Sequence, residues 1–165
     1  MGKPWFPMFV NLSEKRALVA GGGKVGARRA CALALFCGQV TVVAPEISPA
    51  LGELEDVTLV HRPFAPDDLE GIDLAVAATD DPALNAEIAA LCRQRGVPVN
   101  VASDQTLCDF FFPGVAVKGN VAIGVTASGT DHRQAARWTR RVREMLEETN
   151  HPKGSLPEGA VAEGD

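Results

Sequence analysis

Short apolar runs alternate with amphipathic stretches through the first hundred residues of the chain. The runs have the length and the β-branched content of strands, and they predict strands at residues 16–20, 39–44, 57–60, 73–78 and 97–102. Pro98 places the first residues of the last run outside the hydrogen-bonded ladder. Because nearly continuous apolar strands are typical of sheets covered on both faces, we predict a parallel sheet between two layers of helices.

Helical signals lie between these strands. Residues 25–36 predict one helix, and residues 48–54 predict a weaker and shorter one. The clearest helix follows Asp80 and Asp81, either of which can cap it, and has Pro82 in its first turn. It ends at a glycine preceded by arginines, which suit the negative end of the helix dipole.

The pattern changes beyond residue 105. Apolar runs at residues 115–117 and 121–126 flank the dipeptide Gly119-Asn120, which predicts an antiparallel hairpin. A hairpin is too small to be stable alone, so we expect it to extend the main sheet, to pair with another subunit, or both. Residues 133–148 predict a final helix, whose apolar stripe comprises Ala135, Trp138, Val142, Met145 and Leu146.

A glycine-rich turn joins the first predicted strand to the first helix. Gly21, Gly23 and Gly26 form a G-x-G-x-x-G pattern in the strand–turn–helix context of a dinucleotide site. The first glycine permits a tight turn, the second lets backbone N–H groups approach a pyrophosphate, and the third lets the helix pack closely on the strand. The positive end of the helix dipole then faces the phosphates. The alternative is a tight turn that binds nothing.

These signals together predict an α/β protein. We expect a Rossmann-like parallel sheet with helices on both faces, a small antiparallel hairpin that is a candidate dimerisation segment, and a C-terminal helix. We place the NAD-binding domain at residues 1–106, the hairpin at 107–130, the C-terminal helix at 131–149 and a disordered tail at 150–165. The tail is rich in Gly, Pro and Glu and has almost nothing to bury.

Composition narrows the class of protein. Hydrophobic residues make up 46% of the 165 residues, yet no apolar run approaches the ~20 residues that cross a bilayer, so we expect no membrane partner. The apolar N-terminus is broken by Pro4 and Pro7 and lacks the features of a signal peptide, which predicts a cytoplasmic protein. A net charge of −5 argues against nucleic acid as a partner. The four cysteines lack metal-ligand spacing, so we expect buried, reduced thiols and no metal site.

The second and fourth strands end at the crevice where such a sheet binds its ligand. Glu46 is the only acid near the end of the second strand, and no arginine stands there to hold a 2′-phosphate, so NAD is favoured over NADP. Ala78 and Thr79, at the end of the fourth strand, leave room for the nicotinamide half of the cofactor. The alternative for these small residues is plain packing of a helix on the sheet.

Two further sets of residues carry candidate chemistry. Asp104 follows the fifth strand on the cofactor side of the sheet, where it acts either as a general base or as the cap of the next loop. Arginines are concentrated on the first and last helices of an otherwise acidic chain. They form either a solvated face or a docking surface for an anionic ligand, and the candidates are Arg28, Arg137, Arg140 and Arg141.

Six segments recur in the order of a known family. They are residues 7–12 (PMFVNL), 18–23 (LVAGGG), 44–48 (APEIS), 77–81 (AATDD) with Leu84 and Asn85, 99–101 (VNV), and 108–110 (CDF) with Pro113. Together they resemble the precorrin-2 dehydrogenase / sirohydrochlorin ferrochelatase family, the N-terminal module of siroheme synthase. The combination is much more specific than the glycine pattern alone.

The resemblance implies a reaction and a site. NAD takes a hydride from precorrin-2, which gives sirohydrochlorin on the route to siroheme or related tetrapyrroles, and some family members also insert iron. The substrate is a polycarboxylate, which gives the arginines a purpose. Family members are homodimers in which the segment matching residues 111–127 is exchanged or paired between subunits. The family's cofactor contacts fall on Gly22, Gly23, Lys24, Val25, Pro45 and Glu46.

The chain also departs from the family pattern. The aspartate that the family uses in catalysis corresponds to Ser103 here, with Asp104 next to it, so these two are the candidate catalytic residues. Family members carry a further helical domain after the final strand, whereas one helix and a tail follow here, so we expect dehydrogenation more than metal insertion. The alternative function is a non-catalytic NAD- or tetrapyrrole-binding module, either regulatory or a carrier.

Overall fold

The chain forms two compact units in a computed structural model that describes residues 3–52, 54 and 56–148. The larger unit comprises residues 8–112. The described part of the smaller unit comprises residues 3–7 and 113–148. The tail predicted at residues 150–165 lies outside the described residues.

The larger unit is built from alternating strands and helices. Its strands are β1 (Arg16–Gly22), β2 (Gln39–Ile47), β3 (Val57–Val60), β4 (Leu74–Ala77) and β5 (Val99–Val101). Its α-helices are α1 (Lys24–Ala34) and α2 (Pro82–Arg95), and single 3-10 turns occur at Pro49–Leu51, Pro66–Leu69 and Gln105–Leu107. The helix predicted at residues 48–54 is therefore only one 3-10 turn, because Ser48, Pro49 and Gly52 leave too few helix-forming residues.

The five strands form one parallel sheet in the order β3-β2-β1-β4-β5. Successive side chains of β1 point to opposite faces, so Leu18 packs among α2 residues such as Ile88, and Val19 packs among α1 residues such as Ala30. Both faces are thus covered, which explains the continuous apolar runs. The α/β fold predicted from the sequence is confirmed, and its switch point lies between β1 and β4.

Strand β2 extends beyond its predicted end at residue 44. Ala20 of β1 pairs with Val43, but Gly22 pairs with Ile47, so β2 bulges outward over the intervening residues. Pro45 and Glu46 on this bulge are exposed. Apolar periodicity could not predict the extension, because it depends on pairing with the glycine turn.

The ends of α2 follow local rules. The Asp81 carboxylate caps the helix by accepting hydrogen bonds from the N–H groups of Ala83 (2.8 Å) and Leu84 (3.3 Å). Pro82 occupies the first turn, and Gly96 ends the helix with φ +69°. Of the two acids that could cap this helix, Asp81 is the one that does.

The smaller unit consists of β6 (Gly114–Lys118), β7 (Val121–Val125) and α3 (His132–Glu148). The two strands pair as the predicted antiparallel hairpin, with Gly119 at φ +56° in the turn. The hairpin forms a sheet of its own, so the expectation that it extends the main sheet is wrong within the described chain. It is stabilised by α3 instead: Gly114 lies against Thr139, and Arg143 Nε donates to the Val115 carbonyl oxygen (2.9 Å).

The apolar stripe predicted for α3 is only partly correct. Trp138 is 48% exposed and Met145 is 55% exposed. Thr139 is the buried residue of the helix, and the half-buried residues beside it are Ala135, Val142 and Leu146. A two-stranded sheet is narrow, so it covers a single line of residues on the helix.

The prediction of buried cysteines holds for two of the four. Cys37 and Cys92 are buried, and burial raises the pKa of each thiol to about 11, which leaves both protonated and unreactive at neutral pH. Cys31 is exposed, because it lies with Arg28 on the outer side of α1. Across the part of the chain that the structure describes, no helix combines the length and apolarity that crossing a membrane requires.

Candidate functional site

The glycine turn joins β1 to α1 at the carboxyl end of the sheet. Gly21 has φ +117°, and a Cβ atom there would lie 2.2 Å from the carbonyl oxygen of Ala78. A Cβ at Gly26 would lie 2.0 Å from the carbonyl oxygen of Gly21. These two positions therefore require glycine, one for the turn and one for the close approach of α1.

Gly23 has a different environment from its neighbours. It is the exposed N-cap residue of α1 with extended backbone, and beyond the two adjacent residues no protein atom lies within 4 Å of a Cβ built on it. The fold therefore does not need a glycine here, yet a side chain would fill the open space at the helix N-terminus. The first backbone N–H groups of a helix have no partner within it, so this cradle fits the diphosphate of a dinucleotide.

The bulge of β2 forms the wall next to this cradle. A Cβ at Gly22 would lie 2.3 Å from the carbonyl oxygen of Glu46, and the Ser48 N–H donates to the Gly22 carbonyl oxygen (2.9 Å). The structure thus places Pro45 and Glu46 on the bulge beside the glycine turn. Lys24 and Val25, which begin α1, are exposed at the same edge.

The ends of β4 and β5 are joined by a buried amide. Asn85 of α2 has 0% exposure, and its Oδ1 accepts hydrogen bonds from Thr79 N (3.0 Å) and Thr79 Oγ1 (2.8 Å). Its Nδ2 donates to the Thr79 carbonyl oxygen (3.1 Å) and to Ser103 Oγ (3.2 Å). Thr79 therefore directs its donors inward, while Ala78 is buried beside Gly21.

Asn85 was not singled out for this role from the sequence. It lies on the apolar side of α2 one turn before Ile88, where a polar residue needs buried partners. That position, together with its place in the segment around residues 77–81 that carries the family resemblance, is the signal in the sequence that could have marked it. Its partner Ser103, which lies two residues after β5, is visible only in the fold.

Asp104 caps the 3-10 turn that follows β5. Its Oδ1 accepts hydrogen bonds from Thr106 N (2.8 Å) and Thr106 Oγ1 (2.7 Å), and these bonds hold the pKa of the exposed carboxyl below its ordinary value. Of the two alternatives, capping is thus observed. A lowered pKa leaves Asp104 ionised at neutral pH but makes it a weaker base.

The segment after Asp104 is fastened to β5 and α1. Asn100 Nδ2 donates to the Phe110 carbonyl oxygen (2.9 Å), and the guanidinium carbon of Arg29 lies 4.1 Å from the centre of the Phe112 ring. Burial, followed by the nearby Arg28, lowers the pKa of Arg29. Arg29 therefore supports local structure, while Arg28 is exposed.

The candidate arginines of α3 lie on one exposed side of that helix. Arg137, Arg140 and Arg141 share this open surface of the helix with Glu144, Met145 and Glu148. Of these three arginines, Arg140 alone has an ion pair within the described residues. Its Nε lies 4.0 Å from Glu144 Oε1. Arg28 lies on α1 of the larger unit. No three His, Cys, Asp or Glu side chains within the described ranges are placed to hold a metal ion.

A family model described as "Putative NAD(P)-binding" matches residues 8–114. The match spans the larger unit and includes the glycine turn. It agrees with the cradle that the geometry shows at the start of α1.

Several siroheme synthases are similar to the chain in sequence. The protein from Pseudomonas fluorescens (strain Pf0-1) is 40% identical over 128 residues, which are 76% of this chain and 28% of that protein. Siroheme synthase 1 of Serratia proteamaculans (strain 568) is 36% identical over 146 residues, 87% of this chain and 30% of that protein. The chain thus spans about a third or less of the length of these curated relatives.

Among solved structures, the chain resembles "SirC, precorrin-2 dehydrogenase". The TM-score is 0.64 at 23% sequence identity, and the match covers 88% of this chain and 71% of that chain. At this identity the likeness concerns the fold. It agrees with the parallel sheet followed by a hairpin and a helix.

Proposed function

This chain belongs to the family described as "Putative NAD(P)-binding", and we propose that it is an NAD-dependent dehydrogenase that converts precorrin-2 to sirohydrochlorin. The substrate is proposed from the sequence similarity to siroheme synthases. The observation that carries the cofactor is the open cradle at Gly23, which the fold does not fill. Metal insertion is outside the proposal.

The residues of the larger unit hold the cofactor. NAD, when bound, supplies an acceptor for the hydride that the substrate loses together with a proton. The glycine turn, with Lys24 and Val25, binds the diphosphate, and the β2 bulge with Pro45 and Glu46 flanks the adenosine ribose. Ala78 and Thr79 border the space for the nicotinamide. Since no arginine stands on the bulge, we propose NAD over NADP.

Asp104 and Ser103 are the proposed catalytic residues at the end of β5. The Asp104 carboxylate is exposed and ionised at neutral pH, so it is available to take the proton that the substrate loses. Ser103 is also exposed and contributes a hydroxyl group.

The exposed arginines are proposed to bind the carboxylates of the substrate. Arg137 and Arg141 have no ion-pair partner in the described part of the chain, so both are available to an anion. Arg28 and Arg140 are assigned the same role. A polycarboxylate suits such a surface because each guanidinium binds a carboxylate with two parallel hydrogen bonds.

We also propose that the chain is a homodimer and works in the cytoplasm. Val117 of the hairpin is 45% exposed and Val121 is 54% exposed; because they lie on opposite faces of the two-stranded sheet, each face offers an apolar side chain to a partner. A second copy of this chain is the proposed partner.

The substitution Gly23→Ala tests the cofactor site directly. Its methyl group meets no protein atom and the backbone φ is −72°, so we expect the fold to tolerate it while NAD affinity falls at least about tenfold. Isothermal titration calorimetry measures the affinity, and thermal melting measures stability. Gly124→Ala is the matched control, because the atom nearest to its Cβ is 3.6 Å away and it lies on the hairpin. Equal NAD affinity in the two variants would contradict the site.

The activity is tested by adding precorrin-2 and NAD and following absorbance. Appearance of NADH together with sirohydrochlorin supports the dehydrogenase. Tetrapyrrole binding without turnover would instead support the carrier alternative. NADPH binding much tighter than NADH binding would overturn the choice of cofactor.

A further inference from the structure

The buried amide of Asn85 fixes the direction of a hydrogen-bond chain that ends at Ser103. Asn85 Oδ1 is committed to the two donors of Thr79, so the Nδ2 group is the part of the amide that faces Ser103. Because Nδ2 carries only hydrogens to donate, Ser103 Oγ must accept this bond. The hydroxyl hydrogen of Ser103 is therefore left for another partner.

This series of hydrogen bonds cannot make Ser103 a base. An amide has no basic nitrogen, so Asn85 cannot draw a proton away from the hydroxyl as an imidazole does. The amide can only present the hydroxyl as a donor. Ser103 is exposed while Asn85 has 0% exposure, so the donor points away from the amide toward solvent-accessible space.

A continuous line of contacts connects Ser103 to the glycine turn. Gly21 lies against the backbone of Ala78 and Thr79, Thr79 bonds to Asn85, and Asn85 bonds to Ser103. β5 is the second neighbour of β1, so Ser103 lies about 10 Å across the sheet from the turn at ordinary strand spacing. The nicotinamide half of a dinucleotide whose diphosphate occupies the turn spans this distance.

We propose that Ser103 is a hydrogen-bond donor to the carboxamide oxygen of the nicotinamide and that Asn85 is the residue that positions it. The proposal rests on the proposed NAD-binding function and deepens it. A carboxamide oxygen accepts a hydrogen bond without any transfer of the proton. A hydroxyl group that is oriented by the Asn85 amide can donate such a bond. The bond anchors the carboxamide on one side of the site and so limits rotation of the ring about its glycosidic bond, which decides the face that is turned to the substrate.

The test is a thermodynamic cycle that compares the loss of the Ser103 hydroxyl with a change of the carboxamide oxygen. NAD and its thionicotinamide analogue, whose sulfur is a weak acceptor, are titrated by calorimetry into the unmodified protein and Ser103→Ala. We expect the unmodified protein to prefer NAD, and Ser103→Ala to lose about threefold to tenfold in NAD affinity together with that preference. Ser103→Thr, which keeps the hydroxyl, should retain most of the affinity. Ser13→Ala removes an exposed hydroxyl that precedes β1 and is the matched control.

Asn85→Asp tests the positioning role. Its carboxylate would accept the Ser103 proton and turn the bond around, so NAD affinity should fall to the level of Ser103→Ala although Ser103 is present. The Ser103→Ala comparison decides the matter if the buried carboxylate prevents folding. NAD affinity unchanged in Ser103→Ala, or the same preference for NAD over the analogue in both proteins, overturns the proposal.

The outcomes separate this proposal from the proposed function. Turnover of precorrin-2 with no coupling between Ser103 and the analogue leaves the dehydrogenase standing and removes the donor. Coupling without any turnover supports Ser103 as the donor and overturns the proposed dehydrogenase. Failure of the unmodified protein to bind NAD overturns both.

Discussion

Single residues around the glycine turn divide into those that the fold requires and those that it leaves to a ligand. Gly21 and Gly26 would place a Cβ on a backbone oxygen, whereas Gly23 would place one in open space. The spacing of the motif predicted all three positions, because a turn and a helix start are local features. It could not predict Asn85, whose bond to Ser103 joins residues 18 positions apart.

The capping and proposed catalytic roles of Asp104 can be separated by Asp104→Asn. Asparagine keeps the oxygen that accepts the two bonds from Thr106, so we expect an unchanged melting temperature. Loss of the negative charge should lower precorrin-2 turnover by roughly 10²-fold if the carboxylate is the base. Steady-state kinetics with NAD in excess measures this, and unchanged turnover would leave Asp104 as a cap alone.

The pH dependence of the unmodified protein adds a second check on Asp104. The pKa of this carboxyl is held below its ordinary value by the bonds from Thr106. Activity that needs the carboxylate is then fully present above the ordinary aspartate pKa and is lost as the pH falls through the lowered one. An acid limb of turnover near neutral pH would assign the base to another group.

Secondary-structure elements were predicted best where their ends depend on neighbouring residues. Pro98 marked the late start of β5, and the Asp-Pro pair and the glycine marked the two ends of α2. The exposed side of α3 was predicted less well. Trp138 and Met145 belong to its apolar periodicity, but periodicity does not say how wide the covering sheet is.

The N-terminal cap of α2 is expected to contribute measurable stability. Asp81→Ala removes the side-chain acceptor of the Ala83 and Leu84 N–H groups and should lower the free energy of unfolding by about 1 kcal/mol. Urea denaturation followed by circular dichroism measures the change. Asp80→Ala is the matched control, since Asp80 is also exposed but does not cap the helix. A similar loss in both variants would mean that general charge, not capping, is responsible.

At the scale of the whole molecule, the sequence predicted a parallel sheet followed by a hairpin and a helix, and the structure has all three. The hairpin's partner was less predictable, because either of its edges can in principle pair with another strand. It forms its own sheet and leaves Val117 and Val121 exposed. The hydrophobic pattern of a single chain does not predict whether two molecules pair.

The proposed dimer can be tested by Val121→Asp. The residue is 54% exposed, so the single chain should tolerate the change, whereas a dimer formed through the hairpin would bury two new charges. We expect the dimer dissociation constant to rise about tenfold or more, because a buried unpaired charge costs several kcal/mol. Sedimentation equilibrium measures it. Leu35→Asp, at a 65% exposed position on the larger unit, should leave the association unchanged; a dimer insensitive to Val121→Asp would have to use another surface.

The bulge of β2, which flanks the proposed nucleotide site, can change in sequence more freely than the paired residues of the sheet. The paired residues Ala20–Val43 and Gly22–Ile47 anchor the bulge on both sides, so its length and composition can change while the register is kept. We therefore expect insertions, deletions or charge reversals confined to Pro45 and Glu46 to change the proposed preference for NAD over its phosphorylated counterpart. The proposed hydride transfer near the ends of β4 and β5 would be unchanged.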